Sequence, residues 1–219
     1  EVYQTLANIL SDDHNCYGID NYNMYHQKKI TDLSQLASYY LKAMRTCSNF
    51  DSKNIMLLGW SLGGQIALEV AAQLEALAYR NIKIYLLDTA IADDKIKKYR
   101  AQSDSGKLKN ETKKRLTQLG FSKSYINKAL SALLAAEKIS NTAVSKKLEF
   151  SQVALFKATQ VDQASSSSID HHLTNYIISL KYNNINQISK KKIKCIQLPC
   201  HHANILDYLD MIVEEFDKF

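Results

Sequence analysis

Proline is almost absent from this sequence, since Pro199 is its single example in 219 residues, and only six glycines and one tryptophan occur. No linker and no internal repeat interrupts the chain, which favours one domain over residues 1–219. No run of about 18 apolar residues occurs, which excludes a membrane-spanning helix and argues against a membrane partner. The first residues also lack the basic and apolar pattern of a secretory signal peptide.

Cysteine is scarce as well, and its spacing follows no ligand or redox pattern. The sequence contains Cys16, Cys47, Cys195 and Cys200. We expect free thiols in a reducing, cytoplasmic environment, with no disulfide and no metal site.

Positive charge exceeds negative charge by six, but the lysines are scattered apart from Lys190-Lys191-Lys192. No basic stripe alternates with aromatic residues, so we expect no nucleic-acid partner. With 46% apolar and 23% charged residues, the composition is that of an ordinary globular domain. The excess charge fits a solvated surface, and some attraction to an acidic partner is the alternative.

What the sequence does contain is a Gly-x-Ser-x-Gly turn between an apolar strand and an amphipathic helix. Residues 55–58 are apolar, Gly59-Trp60-Ser61-Leu62-Gly63 forms the turn, and Gly64 follows. The helix after the turn has Ile66, Val70, Leu74 and Leu77 at helical spacing. This order of elements is the nucleophile elbow of an α/β-hydrolase. A glycine-rich turn without chemistry is the alternative.

The elbow makes specific demands on its residues. Gly59 and Gly63 should leave room for a strained strand-to-helix corner, and Gly64 should let the helix lie close to the strand. The hydroxyl of Ser61 would then project above the sheet. The backbone N–H of Leu62, at the N-terminus of the new helix, could face a developing oxyanion.

Strand and helix patterns alternate along the chain, which predicts an α/β-hydrolase fold with a mainly parallel sheet flanked by helices. The predicted strands are residues 15–19, 55–58, 82–87, 153–158 and 193–198. The predicted helices include residues 2–10, with Leu6, Ile9 and Leu10 on one side, and a helix capped by Asp32 with a buried face of Leu33, Leu36, Ala37, Tyr40, Leu41 and Met44. Residues 21–28 and 165–168 are predicted as loops, residues 175–180 as a short helix or a loop, and residues 205–216 as the last helix.

Residues 91–149 show no convincing strand and several lysine-rich helical segments. We interpret them as a helical lid inserted between two strands, because those strands can pair without it. Helices that simply cover the sheet are the alternative. Asp93 or Asp94 should cap the first of these helices, and Ser122 should cap a later one. The apolar face of that later helix would consist of Ile126, Ala129, Leu130, Leu133 and Leu134.

A serine nucleophile needs a base and an acid that holds the base in the right tautomer, and this fold supplies them in the order serine, acid, histidine. His202 follows the last strand, with His201 as its competitor. The other histidines, His14, His26, His171 and His172, lie in polar segments. Asp88 and Asp162 each follow a strand, and the pattern of residues does not choose between them.

The chain resembles the thioesterase domains that end nonribosomal peptide and polyketide synthetase assembly lines. The similarity covers most of the chain outside residues 91–149. The matching segments are Tyr17-Gly18-Ile19-Asp20, residues 30–40, Gly59-Trp60-Ser61-Leu62-Gly63-Gly64, Glu69-Val70-Ala71-Ala72-Gln73-Leu74-Glu75, Leu86-Leu87-Asp88 and His202-Ala203-Asn204-Ile205-Leu206. The tryptophan of the elbow and the Gln-Leu-Glu of its helix are more specific than the elbow itself.

The resemblance implies a catalytic triad of Ser61, Asp88 and His202. It also implies release of an acyl or peptidyl chain from the phosphopantetheine thioester of a carrier domain, by hydrolysis or cyclisation. The expected partners are that carrier domain, in the same polypeptide, and the small-molecule chain that it bears. No cofactor would be bound by this domain itself. The alternatives are a freestanding editing thioesterase, a carboxylesterase of small esters, and a non-catalytic domain that docks a carrier.

The sequence departs from the family at its beginning. Members start with a strand that ends in a His-Pro-x-x-Gly-like turn and supplies a second oxyanion-hole N–H, and nothing here corresponds to it. The chain also begins with Glu1 instead of methionine. We therefore expect the natural polypeptide to extend upstream by roughly 20 to 30 residues. The encoding reading frame tests this expectation.

Overall fold

The computed structural model describes residues 3–47, 50, 53–103, 105–162, 168–216 and 218–219. In these ranges four parallel strands form one sheet and lie side by side in chain order. They are β1 (Ile55–Trp60), β2 (Ile82–Leu87), β3 (Gln152–Ala158) and β4 (Lys194–Leu198). The predicted α/β class with a mainly parallel sheet is confirmed.

Helices connect and cover these strands. The α-helices of the described residues are α1 (Gln4–Leu10), α2 (Tyr22–Tyr25), α3 (Leu33–Thr46), α4 (Leu62–Ala76), α5 (Asp94–Gln102), α6 (Ser105–Gln118), α7 (Lys123–Ser140), α8 (Ser168–Ser179) and α9 (Leu209–Phe216). Two 3₁₀ segments, Ile185–Gln187 and His202–Tyr208, flank β4. No helix in the described part of the chain is both long and apolar enough to cross a bilayer.

The hydrophobic core lies on both faces of the sheet. On β3, Val153 and Leu155 face the cluster that contains α4, whereas Ala154 and Phe156 face the cluster that contains α9. All four are buried, as expected for a parallel strand covered on both sides. The second cluster includes Phe216 of α9, which is buried. The sheet is therefore a rigid base for the residues at its carboxyl edge.

Helix α3 has the predicted cap and the predicted buried face. Asp32 accepts a hydrogen bond from the backbone N–H of Gln35 at 2.8 Å. Leu33, Leu36, Ala37, Tyr40 and Leu41 are buried, and Met44 packs at the edge of the core. The helix packs against α4.

Two carboxylates of α4 hold the chain where it returns to β3. Glu69 accepts hydrogen bonds from the backbone N–H and hydroxyl of Ser145, at 2.7 and 2.8 Å. Glu75 accepts hydrogen bonds from Glu149, Phe150 and Ser151. Burial raises the pKa of Glu75, but these hydrogen bonds, led by that of Ser151, lower it below its usual value. The Glu69 to Glu75 segment noted in the sequence therefore has a structural role.

The strand predicted at residues 15–19 is wrong. These residues form no strand, and all of them are exposed. Tyr17 is 57% exposed and Ile19 is 49% exposed, so they bury too little apolar surface to hold a strand against the sheet. The following segment, predicted as a loop, contains the short helix α2, whose N-cap Asn21 accepts a hydrogen bond from Asn23.

Several helices and strands also begin or end at residues other than those predicted. Helix α1 begins at Gln4 and Ile9 is exposed on it, whereas Val2 lies outside the described residues. Residues 165–167 of the predicted loop also lie outside the described residues, and Ser168 begins α8. Strand β4 begins one residue later than predicted, and the helix predicted over residues 205–216 is a 3₁₀ segment followed by α9.

Residues 91–149 contain α5, α6 and α7, and their described part contains no strand. Asp93 caps α5 and Ser122 caps α7, as predicted. Helix α6 has no buried side chain among its described residues, and it packs on α7. Helix α7 in turn packs against α2 and α4. The predicted face of α7 is partly wrong, because Leu134 is exposed and the buried residues are Ile126, Leu130, Ala132, Ala135 and Ile139.

Candidate active site

The strand register brings two of the predicted site residues to the same edge of the sheet. Trp60 pairs with Leu87, so Ser61 and Asp88 each follow the last paired residue of their strand. The hydrogen-bond ladder continues one step further, from Ser61 N to the Leu87 carbonyl at 3.0 Å and from Asp88 N to the Phe156 carbonyl at 2.8 Å. Both residues then turn sharply away from the sheet.

Ser61 has the strained backbone of a nucleophile elbow. Its φ of 56° and ψ of −119° lie in a region that residues other than glycine rarely adopt. Ser61 occupies the N-cap of α4, but its side chain makes no capping hydrogen bond. The hydroxyl is therefore not used by the helix, and the N–H of Leu62 lies in the first turn of α4 beside it.

The glycines around Ser61 differ in how strictly they are required. A Cβ on Gly59 would lie 2.2 Å from the carbonyl carbon of Gly63, and a Cβ on Gly64 would lie 1.9 Å from Thr89 Oγ1. A Cβ on Gly63 itself would meet only the Tyr3 hydroxyl, at 3.4 Å. The expectation that Gly63 must lack a side chain is therefore wrong. The backbone of Gly63 lies against Gly59, but a side chain on Gly63 itself would have room.

We predict that Gly59→Ala lowers the free energy of unfolding by about 3 kcal/mol or more, because the new methyl group would collide with backbone that cannot move aside. Gly63→Ala and the exposed Gly18→Ala should each change it by less than about 1 kcal/mol, since neither methyl group meets a backbone atom. Urea unfolding of the three variants measures the difference. Equal stabilities for Gly59→Ala and Gly63→Ala would contradict the packing described here.

One carboxylate oxygen of Asp88 accepts from a backbone N–H and from an asparagine side chain, and the other faces a histidine. Its Oδ1 accepts hydrogen bonds from the N–H of Ala158 at 3.2 Å and from Nδ2 of Asn183 at 3.3 Å. Its Oδ2 lies 2.7 Å from Nδ1 of His202. The side chain is only 8% exposed, so its orientation is fixed by these three contacts.

His202 lies at the start of the 3₁₀ segment after β4, beside the elbow. Its ring centroid is 5.6 Å from that of Trp60, the residue before Ser61. A neutral imidazole that donates from Nδ1 to Asp88 carries its lone pair on Nε2, which is the atom that could accept a proton from serine. Among the described residues no hydrogen bond joins the Ser61 hydroxyl to His202. Such bonds are often long before substrate binds.

The competing residues make no hydrogen bond to Asp88 or His202 among the described contacts. His201 Nδ1 is buried and has no hydrogen-bond partner among the described residues. Its backbone N–H donates to Asn204. His26 stacks on Tyr22, with the two ring centroids 3.9 Å apart. Asp162 lies beyond the end of β3, and the structure pairs His202 with Asp88.

Sequence reasoning missed several residues that surround the acid and the elbow. Tyr3 accepts a hydrogen bond from the N–H of Trp60 at 2.9 Å, and burial raises the pKa of its phenol. The Thr89 hydroxyl donates to the Ser61 carbonyl at 3.1 Å and so joins the residue after Asp88 to the elbow. Lys157 and Asn183 lie behind Asp88. A lysine inside the apolar run of β3 was the one visible signal for this group.

Cys200 also lies close to Asp88. Burial, followed by the charges of Asp88 and Asp207, raises the pKa of its thiol to about 11. The thiol is therefore neutral near pH 7 and is a poor nucleophile. Within the described ranges, no group of three histidine, cysteine or acidic side chains is arranged to hold a metal ion.

Comparison with solved structures gives proteins of the same fold. The chain is similar to the NocB thioesterase domain from the nocardicin cluster, with 17% identity and a TM-score of 0.68 over 99% of this chain and 87% of that chain. It is similar to the Vlm2 thioesterase domain bound with a dodecadepsipeptide, with 15% identity and a TM-score of 0.69 over 99% and 90% of the two chains.

A larger protein contains a similar domain. The four-domain nonribosomal peptide synthetase AB3403, bound to AMP and glycine, matches 91% of this chain with 16% identity and a TM-score of 0.65. The chain spans 17% of that synthetase's length. At these identities the similarity shows the α/β-hydrolase fold of thioesterase domains.

Sequence comparison with curated proteins gives no match. The sequence model of the family described as "Thioesterase domain" matches residues 1–219. On the evidence of that match over its whole length, this chain belongs to the thioesterase-domain family, whose members are hydrolases acting on thioesters.

Proposed function

We propose that this domain releases an acyl or peptidyl chain from the phosphopantetheine thioester of a carrier domain, with Ser61 as nucleophile, His202 as base and Asp88 as acid. The observation that carries the proposal is the 2.7 Å contact between Asp88 Oδ2 and His202 Nδ1, with the imidazole beside the strained elbow of Ser61. The family match independently supports thioesters as substrates.

Each proposed residue has one task in the reaction. His202 Nε2 takes the proton of the Ser61 hydroxyl as its oxygen attacks the thioester carbonyl, and the Leu62 N–H stabilises the oxyanion. Collapse of the intermediate breaks the C–S bond, and the imidazolium returns the proton to the departing thiolate. The chain is then an ester on Ser61. Water or a nucleophile within the chain then attacks that ester and loses its proton to His202. Collapse of this second intermediate breaks the bond to the Ser61 oxygen, the imidazolium returns the proton to that oxygen, and the product is free.

The proposed partner is an acyl or peptidyl carrier domain in the same polypeptide. The similar domain in AB3403 occurs within a four-domain synthetase, which supports this arrangement. The phosphopantetheine arm belongs to the carrier, so this domain needs no cofactor of its own. We also place the reaction in the cytoplasm, where the free thiols of Cys16, Cys47, Cys195 and Cys200 would stay reduced.

We propose that residues 91–149 act as a lid that selects the acyl chain. They begin three residues after Asp88, and α6 packs on α7 without a buried side chain among its described residues. Arg100 of α5 donates to the carbonyl of Ser140, so the two ends of the segment are joined. A segment attached in this way can differ in shape while the sheet edge below it stays the same.

A fluorophosphonate probe and a loaded carrier domain together test the proposal. The probe should attach to Ser61 and should fail to attach to the folded Ser61→Ala variant. The domain should release an acyl chain from the carrier at least about tenfold faster than it hydrolyses the ethyl ester of the same chain, because binding of the carrier contributes to transition-state stabilisation. Mass spectrometry identifies the labelled residue and the product.

Each alternative function gives a different result in these assays. Equal rates with the two substrates would favour a carboxylesterase of small esters. Faster release of short acyl groups than of peptidyl chains would favour a freestanding editing thioesterase. A folded wild-type domain that binds the carrier and is not labelled would be a non-catalytic docking domain.

A further inference from the structure

A buried lysine lies behind the acid of the proposed triad, and the mechanism above does not use it. Lys157 of β3 is 2% exposed. Its ammonium group donates to the Ile177 carbonyl at 3.1 Å, to the Leu180 carbonyl, and to Oδ1 of Asn183 at 2.9 Å. These three bonds use all three N–H groups of a charged lysine. A buried ammonium also requires a nearby anion to balance its charge.

Asn183 connects this cation to Asp88. Its Oδ1 accepts from Lys157, and its Nδ2 donates to Asp88 Oδ1 at 3.3 Å. An amide has one accepting end and one donating end, so the cation and the anion favour the same orientation of the group. Asn183 is fully buried, and its φ of 48° is a left-handed conformation that asparagine tolerates better than most residues.

We propose that Lys157 and Asn183 are positioning residues. The Lys157 ammonium orients the Asn183 amide, and that amide holds Asp88 with Oδ2 toward His202, so that the negative charge of the carboxylate stays beside the imidazole. The proposal rests on the proposed function, in which Asp88 and His202 are the acid and the base. The proposal gives the buried charge of Lys157 a positioning role. Without such a role, burial of this charge would only cost desolvation energy.

Other titratable groups lie around this network. Cys195 on β4 is near Lys157, and Lys181 after α8 is near Cys195. Cys200, before the 3₁₀ segment, is near Asp88 and near Asp207 of that segment. Burial raises the pKa of both thiols, so both are neutral near pH 7. The Lys181 ammonium lies over the Tyr182 ring, 5.1 Å from its centroid. Burial lowers the pKa of Lys157, whereas Cys195 and Asp88 raise it.

The charge of Lys157 has a predictable effect on the base. A positive charge near Asp88 opposes a second positive charge on the His202 ring, and Lys157→Met removes that opposition. Only the neutral imidazole accepts the serine proton. The acidic limb of the kcat/KM profile should therefore move to higher pH in Lys157→Met.

Two neighbouring asparagines provide a matched pair of variants. Asn183 and Asn184 both have positive φ, so glycine fits either backbone without strain. Asn184 donates to the Ile91 carbonyl and to Asp93, and no hydrogen bond joins it to Asp88 in the described ranges. Asn183→Gly should lower kcat by about 10- to 100-fold with KM changed less than about twofold, because Asp88 loses its orienting donor. Asn184→Gly should retain kcat within about threefold.

The experiment records pH profiles of kcat/KM for a carrier-bound thioester and rates of fluorophosphonate labelling, with circular dichroism to show folding. A higher-pH acidic limb in Lys157→Met, together with a kcat loss confined to Asn183→Gly, supports the proposal. Superimposable profiles, or equal losses in the two glycine variants, overturn it. If Lys157→Met does not fold, the asparagine pair decides the result alone. A wild-type domain that neither reacts with the probe nor releases a chain would instead defeat the proposed function.

Discussion

Replacing His202 with glutamine should lower kcat by roughly 10⁴- to 10⁶-fold, because glutamine cannot take the proton of Ser61 or return it to the leaving thiolate. The glutamine amide can still donate toward Asp88, so the buried carboxylate keeps a partner. The His202 side chain is 45% exposed, and the substitution should therefore leave stability nearly unchanged. Single-turnover release from a loaded carrier domain measures the loss.

His201→Gln is the matched control for that result. The two histidines are adjacent, and only the His202 ring contacts Asp88 in the described part of the chain. We expect His201→Gln to keep kcat within roughly threefold of the wild type. A large loss in the control and a small loss in His202→Gln would reverse the assignment of the base.

Replacing Asp88 with asparagine should lower kcat by about 10⁴-fold, because it holds the imidazole in the wrong tautomer. The two donors on Oδ1, from Ala158 and Asn183, require an acceptor at that position. An asparagine at residue 88 must therefore turn its NH₂ group toward His202. The imidazole would then accept at Nδ1 and carry its proton on Nε2, where the serine proton should go.

Asp162→Asn tests the alternative acid under the same conditions. We expect it to keep kcat within roughly threefold, since the structure pairs His202 with a different carboxylate. Rates of fluorophosphonate labelling give a second reading of both variants that does not depend on carrier binding. A greater loss in Asp162→Asn than in Asp88→Asn would contradict the triad proposed here.

The sequence predicted those features that depend on local pattern. The apolar run before Gly59 and the helical spacing after Gly64 are properties of adjacent residues, and the strand, the corner and helix α4 follow from them. The caps at Asp32, Asp93 and Ser122 were likewise predicted correctly, because a cap bonds only two or three residues along the chain.

Features that depend on distant partners could not be predicted in the same way. Asp88 and Asp162 both follow strands, and the spacing of residues contains no information on which of them meets His202. Residues 15–19 have a strand-like composition but pair with no strand in the described ranges. The bridge from Lys157 through Asn183 to Asp88 joins residues far apart in the chain, and only the fold brings them together.

The two carboxylates of α4 have a consequence for how such domains can diversify. Glu69 and Glu75 anchor Ser145 and the segment before β3 to the same helix that begins at the nucleophile. Insertions or deletions between α5 and α7 would thus leave the downstream strands in register, because the chain is caught again before it rejoins them. Evolution could therefore exchange the part of the proposed lid between α5 and α7 while Ser61, Asp88 and His202 keep their spacing.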